Sequence, residues 1–306
     1  MARIVVIGSL NMDLVVQVPR IPKPGETVLG ADDLHMIPGG KGANQAYGSA
    51  RLGADVAMIG RAGDDSFGEQ LITNLKKACV DTHHITRDSN ASTGVALIVV
   101  EEGGQNSIVV SSGANGHVSP LDISRAEAVI QSVNLLLLQL EIPLPAVIKA
   151  AQLAQHHGIK VVLNPAPAQL LPEELLSLID ILIPNETEAS LLSGCDVGTD
   201  DEIKQAADKL RQFGVKTVIM TRGSRGSSLI TENEIVHFPA FPVESVDTTA
   251  AGDAFVSGFA VAFAEGKSFP EAVRYGNAAG ALASTKLGAQ PSMPDRDALD
   301  SILQTV

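Results

Sequence analysis

The apolar positions of this 306-residue chain gather into short continuous runs separated by helical spacing. Residues 4–7, 56–59, 134–140, 160–163, 179–183 and 215–220 are each short, apolar and mostly followed by a helical pattern. Runs that are apolar on both sides read as strands covered on both faces. Ser66-Phe-Gly-Glu69 has the form of a capping box ahead of a helix over 70–79. Ser119-Pro120 sets a cap residue before a first-turn proline, ahead of a helix over 121–132. Residues 144–157 run into Gly158 and 200–213 into Gly214, both glycines serving as helix stops. Strand alternating with helix predicts an α/β fold, a mostly parallel sheet flanked by helices.

Two segments break that rhythm. Residues 14–18 and 27–35 are strand-like on either side of the proline-rich stretch 19–24. Residues 93–100 and 106–111 flank Glu101-Glu102-Gly103-Gly104, a hairpin signal. Together they are expected to form a small antiparallel β-sheet. That sheet would be a lid over the carboxyl ends of the parallel strands, where open α/β sheets bind ligands. The alternative is ordinary edge strands of the main sheet. The expected division is a nucleotide- and sugar-binding core of residues 1–13, 36–92 and 112–306, with a lid of 14–35 and 93–111. A small sheet with one apolar face is marginal alone, which predicts a homodimer joined through the lids.

Composition narrows the function classes. Hydrophobic residues at 45% support a substantial core, while 3% aromatics and no Trp offer neither a base-stacking surface nor a membrane belt. A formal net charge of −13 argues against nucleic-acid binding. A nucleotide would then be held by local donors and a metal ion. Cys79 and Cys195 match no metal or redox spacing, which suggests a reducing cytoplasm. Met1-Ala-Arg-Ile-Val-Val-Ile-Gly8 lacks a small-residue cleavage site and reads as a buried strand. The apolar run around 135–138 is too short to span a membrane, so no membrane partner is expected. The seven histidines form no metal spacing. His83-His84 and His156-His157 are expected at the surface, and no Ser-His-Asp triad or zinc motif can be argued.

The chemistry concentrates in a few motifs. Asp247-Thr-Thr-Ala-Ala-Gly-Asp253 opens an apolar helix. Its small residues leave consecutive N–H groups uncovered at a helix N-terminus, which carries about half a positive charge, and so form an anion site. Asp253 stands beside it as a base, or as a carboxylate that only favours the helix dipole. Gly39-Gly-Lys-Gly-Ala-Asn-Gln45 precedes a helix expected over 46–52. Its glycines admit a ligand, and Lys41 and Asn44 supply donors. It lacks the Walker A spacing and could be a structural turn. Asn11 and Asp13 alternate on one side of the chain after the first strand and suit sugar hydroxyls, or an Asx-turn. That stretch lacks the glycines of a dinucleotide fold. Glu141 ends the most apolar strand and reads as a ligand group. In Pro184-Asn-Glu-Thr-Glu188, Asn185 and Glu188 share a helix face, suiting Mg²⁺ bound through water, while Thr187 and the glutamates could equally be helix-start residues. Thr221-Arg-Gly-Ser-Arg-Gly226 offers a phosphate and ribose loop, or a plain hairpin turn.

With Asn164-Pro-Ala-Pro167 and Gly288-Ala-Gln-Pro-Ser292 added in order and spacing, the chain resembles the ribokinase-like sugar kinases, the phosphofructokinase B family, over essentially its whole length. The resemblance implies an ATP-dependent phosphotransferase with a sugar alcohol group as acceptor. It implies a sugar site at Asn11, Asp13, Gly40, Lys41, Gly42, Ala43, Asn44 and Glu141, with Asp253 as base at the reacting hydroxyl. Ala250, Ala251 and Gly252 would be the anion hole. The nucleotide site would be Asn185, Thr221, Arg222, Gly223, Ser224, Arg225, Gly226, Gly252, Asp253 and Asn277, with Mg²⁺ at Asn185 and Glu188 through water. A monovalent cation, K⁺, is implied at Asp247, Thr249, Ala283, Lys286, Gly288 and Ser292, largely through backbone carbonyls. Asp13 with Gly40 to Asn44 favours a small furanose, D-ribose phosphorylated at O5. Deoxyribose, another small sugar, a nucleoside or a non-catalytic sugar-binding role are the alternatives. The family usually has Gly where Ala250 stands. Alanine still exposes its N–H, so the anion hole is expected to be barely affected.

Overall fold

The computed structural model describes residues 2–103, 105–232 and 234–304. Its strands are β1 (Arg3–Ile7), β2 (Asn11–Val18), β3 (His35–Gly39), β4 (Asp55–Gly63), β5 (Asp81–Asp88), β6 (Gly94–Glu101) and β7 (Asn106–Ser111), then β8 (Leu135–Leu138), β9 (Lys160–Leu163), β10 (Ile181–Leu182), β11 (Thr217–Thr221), β12 (Ser227–Ile230) and β13 (Ile235–Phe238). Among the described residues nine strands form one sheet in the order β13-β12-β11-β10-β9-β8-β1-β4-β5. Neighbours from β11 to β5 pair in parallel, and β12 and β13 add an antiparallel edge.

The four leucines of β8 are fully buried and show why this sheet needs two covers. Leu135 and Leu137 join one apolar cluster, Leu136 and Leu138 the other. Burying each is worth about 2 kcal/mol, which holds β8 at the centre and not at an edge. β1 lies between β4 and β8, so the chain departs from it in opposite directions. The crevice that such a reversal opens at the carboxyl end of β1 is where the site is built.

Several boundaries differ from expectation. The helix expected over 70–79 starts at Ser66, because Asp65 is the cap and accepts from Gly68 N at 2.9 Å. The helix expected over 121–132 forms as Pro120–Arg125 and Glu127–Ile130, behind the Ser119 cap. No strand forms over 27–34. That stretch is exposed, and Asp33 N turns back onto the Asp32 carboxylate at 2.8 Å. The strand is His35–Gly39 instead.

A second sheet, β3-β2-β6-β7, stands apart from the first. Its outer pairs are antiparallel and its middle pair, β2 with β6, runs parallel. It extends past the expected lid limits, taking in Asn11–Val18 and His35–Gly39. Met1 and the Gly104 of the hairpin signal lie outside the described residues.

The chain passes between the two sheets four times, and the crossings converge. Asn115, buried, accepts from Leu10 N (2.9 Å) and donates to Leu10 O (2.9 Å) and Asn11 Oδ1 (2.8 Å). Ala114 N donates to Ser92 O at 2.8 Å. A side chain at Gly94 would meet Asn11 Oδ1 and Asn115 Nδ2 at 2.3 Å, and one at Gly40 would meet Asn11 N at 2.6 Å.

Candidate functional site

Asp253 lies in the first turn of the helix Ala251–Ala264, buried. That helix is apolar nearly all round because it packs against the sheet and against the helices Lys41–Arg51 and Phe269–Ser284. Small residues let these helices close up: a Cβ on Gly258 would meet Tyr275 O at 2.7 Å, and one on Gly48 the Ser257 hydroxyl at 2.6 Å. The approach brings Asn44 Nδ2 to 2.9 Å from Asp253 Oδ2 and Gln45 Nε2 to 3.0 Å from Asp253 Oδ1. Asn44 Oδ1 is buried without a hydrogen-bond partner, an acceptor suited to a substrate hydroxyl.

The helix carrying Asn44 begins at Lys41, five residues ahead of expectation. Gly40 turns the chain with φ +87°, and Lys41, Gly42, Ala43 and Asn44 are the first helical turn, not a preceding loop. Across from them, Ser9 Oγ donates to Glu141 Oε2 at 2.5 Å and Lys41 N donates to the same oxygen at 3.1 Å. Asn11 and Asp13 open β2 and are buried. Burial, then the charges of Glu141 and Asp253, push the Asp13 carboxyl up to about 7, against the pull of Lys41. Burial alone would lower the Lys41 ammonium, but Asp253, Glu141, Glu188 and Asp13 together hold it above the ordinary lysine range. Lys41 thus sits among four carboxylates.

The residues expected to form the anion hole precede Asp253. A Cβ on Gly252 would meet nothing within 4 Å. Ala250 adopts φ +58°, ψ +10°. Left-handed backbone costs an alanine on the order of 1 kcal/mol, so the Gly-to-Ala departure is felt in the backbone even though the N–H is kept. Asp247 Oδ1 accepts from Thr249 N and its Oδ2 from Gly288 N, both at 2.8 Å. Asp247 therefore ties the 247–249 loop to Gly288, with Ala283 and Ser292 buried and Lys286 exposed. The Ala283 carbonyl accepts from Lys286 N at 3.3 Å, and Ser292 Oγ donates to Ala289 O at 2.8 Å. Carboxylate and carbonyl oxygens of this kind fit a hard monovalent cation.

Asn185 and Thr221 face each other as an isolated parallel bridge that extends β10 and β11. Asn185 caps the helix Glu186–Ser193, its Oδ1 accepting from Glu188 N at 2.8 Å while Glu188 accepts from Asn185 N and Nδ2. Glu186 and Glu188 are thus acids of the helix start, with Asn185 as the cap. Glu188 is also buried, which raises its carboxyl, and feels Lys41 and Asp253; its remaining lone pairs fit water-bound Mg²⁺. Gly223, Ser224 and Arg225 form one 3-10 turn, with Gly226 at φ +83°. Arg225 pairs with Glu186, and Arg222 reaches Ser228 Oγ (3.3 Å) and His237 (3.2 Å). Asn277 lies on the helix Phe269–Ser284 and donates to the carbonyls of Phe238 and Pro239 at 3.4 Å. His83 and His156 are at the surface, and His84 and His157 are half-buried.

Sequence reasoning did not single out Ser9, Gln45, Asn115, Gln139 and Asn164, which the structure sets in hydrogen bonds with the candidate site or its neighbours. Gln45 and Asn164 lie inside quoted motifs, so their presence was visible and their partners were not. A glutamine ending the fully apolar β8, Gln139, was the available signal: a buried polar group needs a partner.

The chain matches the pfkB family carbohydrate kinases over residues 1–296. It is 47% identical over 291 residues to a ribokinase of Haemophilus influenzae, covering 95% of each chain. It is 38% identical over 301 residues to a deoxyribokinase of Salmonella typhimurium, covering 98% of each. A solved structure of Arabidopsis thaliana ribokinase complexed with ribose and ATP matches with a TM-score of 0.92 at 38% identity, covering 99% of each chain. Fold, site and these likenesses agree, and the chain belongs to the pfkB family of carbohydrate kinases.

Proposed function

We propose that this protein transfers the γ-phosphoryl group of ATP to O5 of D-ribose. The observation that carries the reading is the buried Asp253 carboxylate, fixed by Asn44 and Gln45 in the first turn of a helix and close to Lys41, Asp13 and Glu188. Asp13, Asn44 and Glu141 hold the sugar hydroxyls, with Asn11, Lys41 and the Gly40–Ala43 backbone around them. Asp253 takes the proton of the attacking hydroxyl. The O5–P bond forms as the bond from Pγ to the bridging oxygen breaks, its electron pair leaving with ADP. The amides of Ala250, Ala251 and Gly252 stabilise the charge on the transferring oxygens. The adenine nucleotide lies along Asn185, Thr221–Gly226 and Asn277. Asn185 and Glu188 would hold Mg²⁺ through water, and the ion would supply charge neutralisation for the phosphates. Asp247, Thr249, Ala283, Lys286, Gly288 and Ser292 would hold K⁺, which would supply a fixed positive charge.

A panel of sugars assayed with ATP tests the assignment. D-ribose is expected to give the highest catalytic efficiency. Deoxyribose, fructose or a nucleoside ahead of it would overturn the substrate while leaving a sugar kinase. Equal rates with K⁺ and with a bulky organic cation at constant ionic strength would remove the cation site.

Alternation along the lid strands puts Asp13 on one face and Met36, Leu14, Leu97 and Val109 in one row on the other. Met36, Leu97 and Val109 are 55%, 50% and 62% exposed. A homodimer joined through the lids would cover that row; a monomer by light scattering at micromolar concentration would count against it. No described helix is long and apolar enough to cross a membrane. Free Cys79 and Cys195 and a net charge of −13 support a cytoplasmic protein with no nucleic-acid partner.

A further inference from the structure

Beneath Asp253 runs a line of amides, two buried and one half-buried, that the reaction as described does not use. Gln139 follows β8 and is fully buried; its Nε2 donates to Gln45 Oε1 at 2.6 Å. Gln45, also fully buried, donates from Nε2 to Asp253 Oδ1 at 3.0 Å and to Asn164 Oδ1 at 3.1 Å. Asn164 in turn donates to Ile183 O at 3.0 Å. The direction of the chain is fixed by chemistry. The Asp253 carboxylate accepts only, so it takes the Gln45 NH₂ and turns the Gln45 oxygen toward the Gln139 NH₂, which holds it there; the flipped amide would set oxygen against carboxylate. Room for this arrangement is reserved: a Cβ on Gly8 would stand 2.1 Å from Gln139 Oε1. That oxygen is buried without a hydrogen-bond partner, a cost the core would avoid with a leucine or methionine in place of Gln139.

We propose that Gln45 is a positioning residue for phosphoryl transfer and that Gln139 sets its orientation. Resting on the reading of Asp253 as base, the pair aims one carboxylate oxygen through a fixed N–H donor and leaves its remaining lone pairs toward the cleft. Asn44 serves the other oxygen from a position that also faces substrate. Gln45 serves from the core side, so its loss is expected to change turnover without changing sugar binding. The charged groups whose fields reach Asp253 are Lys41, Asp13 and Glu188, and all three stay in place when Gln45 is replaced.

The test is Gln45→Met, which keeps length and volume and removes the donor. Turnover is expected to fall about 10- to 100-fold, as for a misaligned reacting group, with sugar KM within about twofold. A general loosening of the fold would raise KM as kcat falls, so the split between kcat and KM marks the positioning role. Gln139→Met, which touches no group bonded to substrate, is expected to lower kcat the same way by less, and it decides the matter if Gln45→Met does not fold. Wild-type kcat in folded Gln45→Met, or a tenfold rise in KM with kcat kept, would overturn the proposal. Asp253→Asn assayed alongside separates the two readings. If it keeps its turnover, the base assignment fails; if it is inactive while Gln45→Met is normal, only the positioning role fails.

Discussion

Two buried charged clusters in this molecule behave in opposite ways. Arg61 on β4 donates from Nη1 to Asp88 at 2.9 Å and grips Asp122 through Nε and Nη2 at 3.0 and 2.9 Å. Asp88 also accepts from Asn90 N, pairs with His117, and is held at about 2 by Asn90 first, then His117 and Arg61. Burial would raise Asp122, but Arg61 and Ser119 outweigh it and lower its carboxyl. Around Lys41 the directions reverse: Asp13 and Glu188 are raised, burial being the first cause in each. The first cluster has donors enough for its oxygens and ties β4, β5 and the Pro120–Arg125 helix together. The second has one cation for several carboxylates and an orphaned acceptor in Asn44. A satisfied cluster is architecture; one short of partners marks where a ligand completes it.

Substitutions can sharpen or break that distinction. The largest effect is expected for Asp253→Asn: turnover falls by about 10²–10⁴, some 3–5 kcal/mol of barrier, with the melting temperature and sugar affinity nearly kept. Turnover close to wild type would make Asp253 a helix-start carboxylate only. Arg61→Met should do the reverse. It strands Asp88 and Asp122 in the interior and is expected to cost about 3–5 kcal/mol of stability in a denaturant titration, while kcat of the folded protein stays within about twofold. A loss of kcat without a loss of stability would place Arg61 in the functional cluster instead.

Asp13→Asn gives a smaller effect of telling sign. The folded Asp13 value of about 7 lies above the ordinary 3.8, so the folded protein keeps a proton that the unfolded chain has released. This group's contribution to stability therefore declines as pH rises through that window. Asparagine has no charge to bury. The variant should melt about 2–6 °C above the parent at pH 8, with the gap closing toward pH 4, and bind sugar more weakly. An equal gap at both pH values would dissociate Asp13 from the raised titration. The smallest effect is Ala250→Gly, expected to stabilise the protein by less than about 1 kcal/mol: relief of left-handed strain, partly offset by added unfolded-state freedom. Destabilisation would mean that alanine's rigidity outweighs its strain there.

Much of the molecule was legible in the residues. Runs such as Leu135–Leu138 can be satisfied only between two covers, so the parallel layer followed from them. Glycines and acids at strand ends, from Asn11 to Asp253, located the crevice. What stayed hidden was set by distance and competition. Gln45 and Asp253 are 208 positions apart, and nothing local in either signals the contact. The parallel pairing of β2 with β6 is likewise decided by where two hairpins dock. Asp65 and Ser66 are both good caps, and Asp65 prevails because its carboxylate also receives Thr93 N and Oγ1 at 2.8 and 2.6 Å. The helix at Lys41 starts early because the Gly40 turn delivers the chain directly into it, before the first large apolar residue.

The convergence of the four crossings at Asn115 has a consequence for how such a protein can be remodelled. Each lid hairpin leaves the body and re-enters it at one spot: β2 and β3 depart at Leu10 and return at Gly40, while β6 and β7 depart at Thr93 and return at Gly113. The body's own strand order does not depend on what lies between those points. A hairpin can be lengthened, exchanged or lost without re-threading the nine-stranded sheet, so the second sheet is free to change while the parallel sheet and the loops at its strand ends stay as they are.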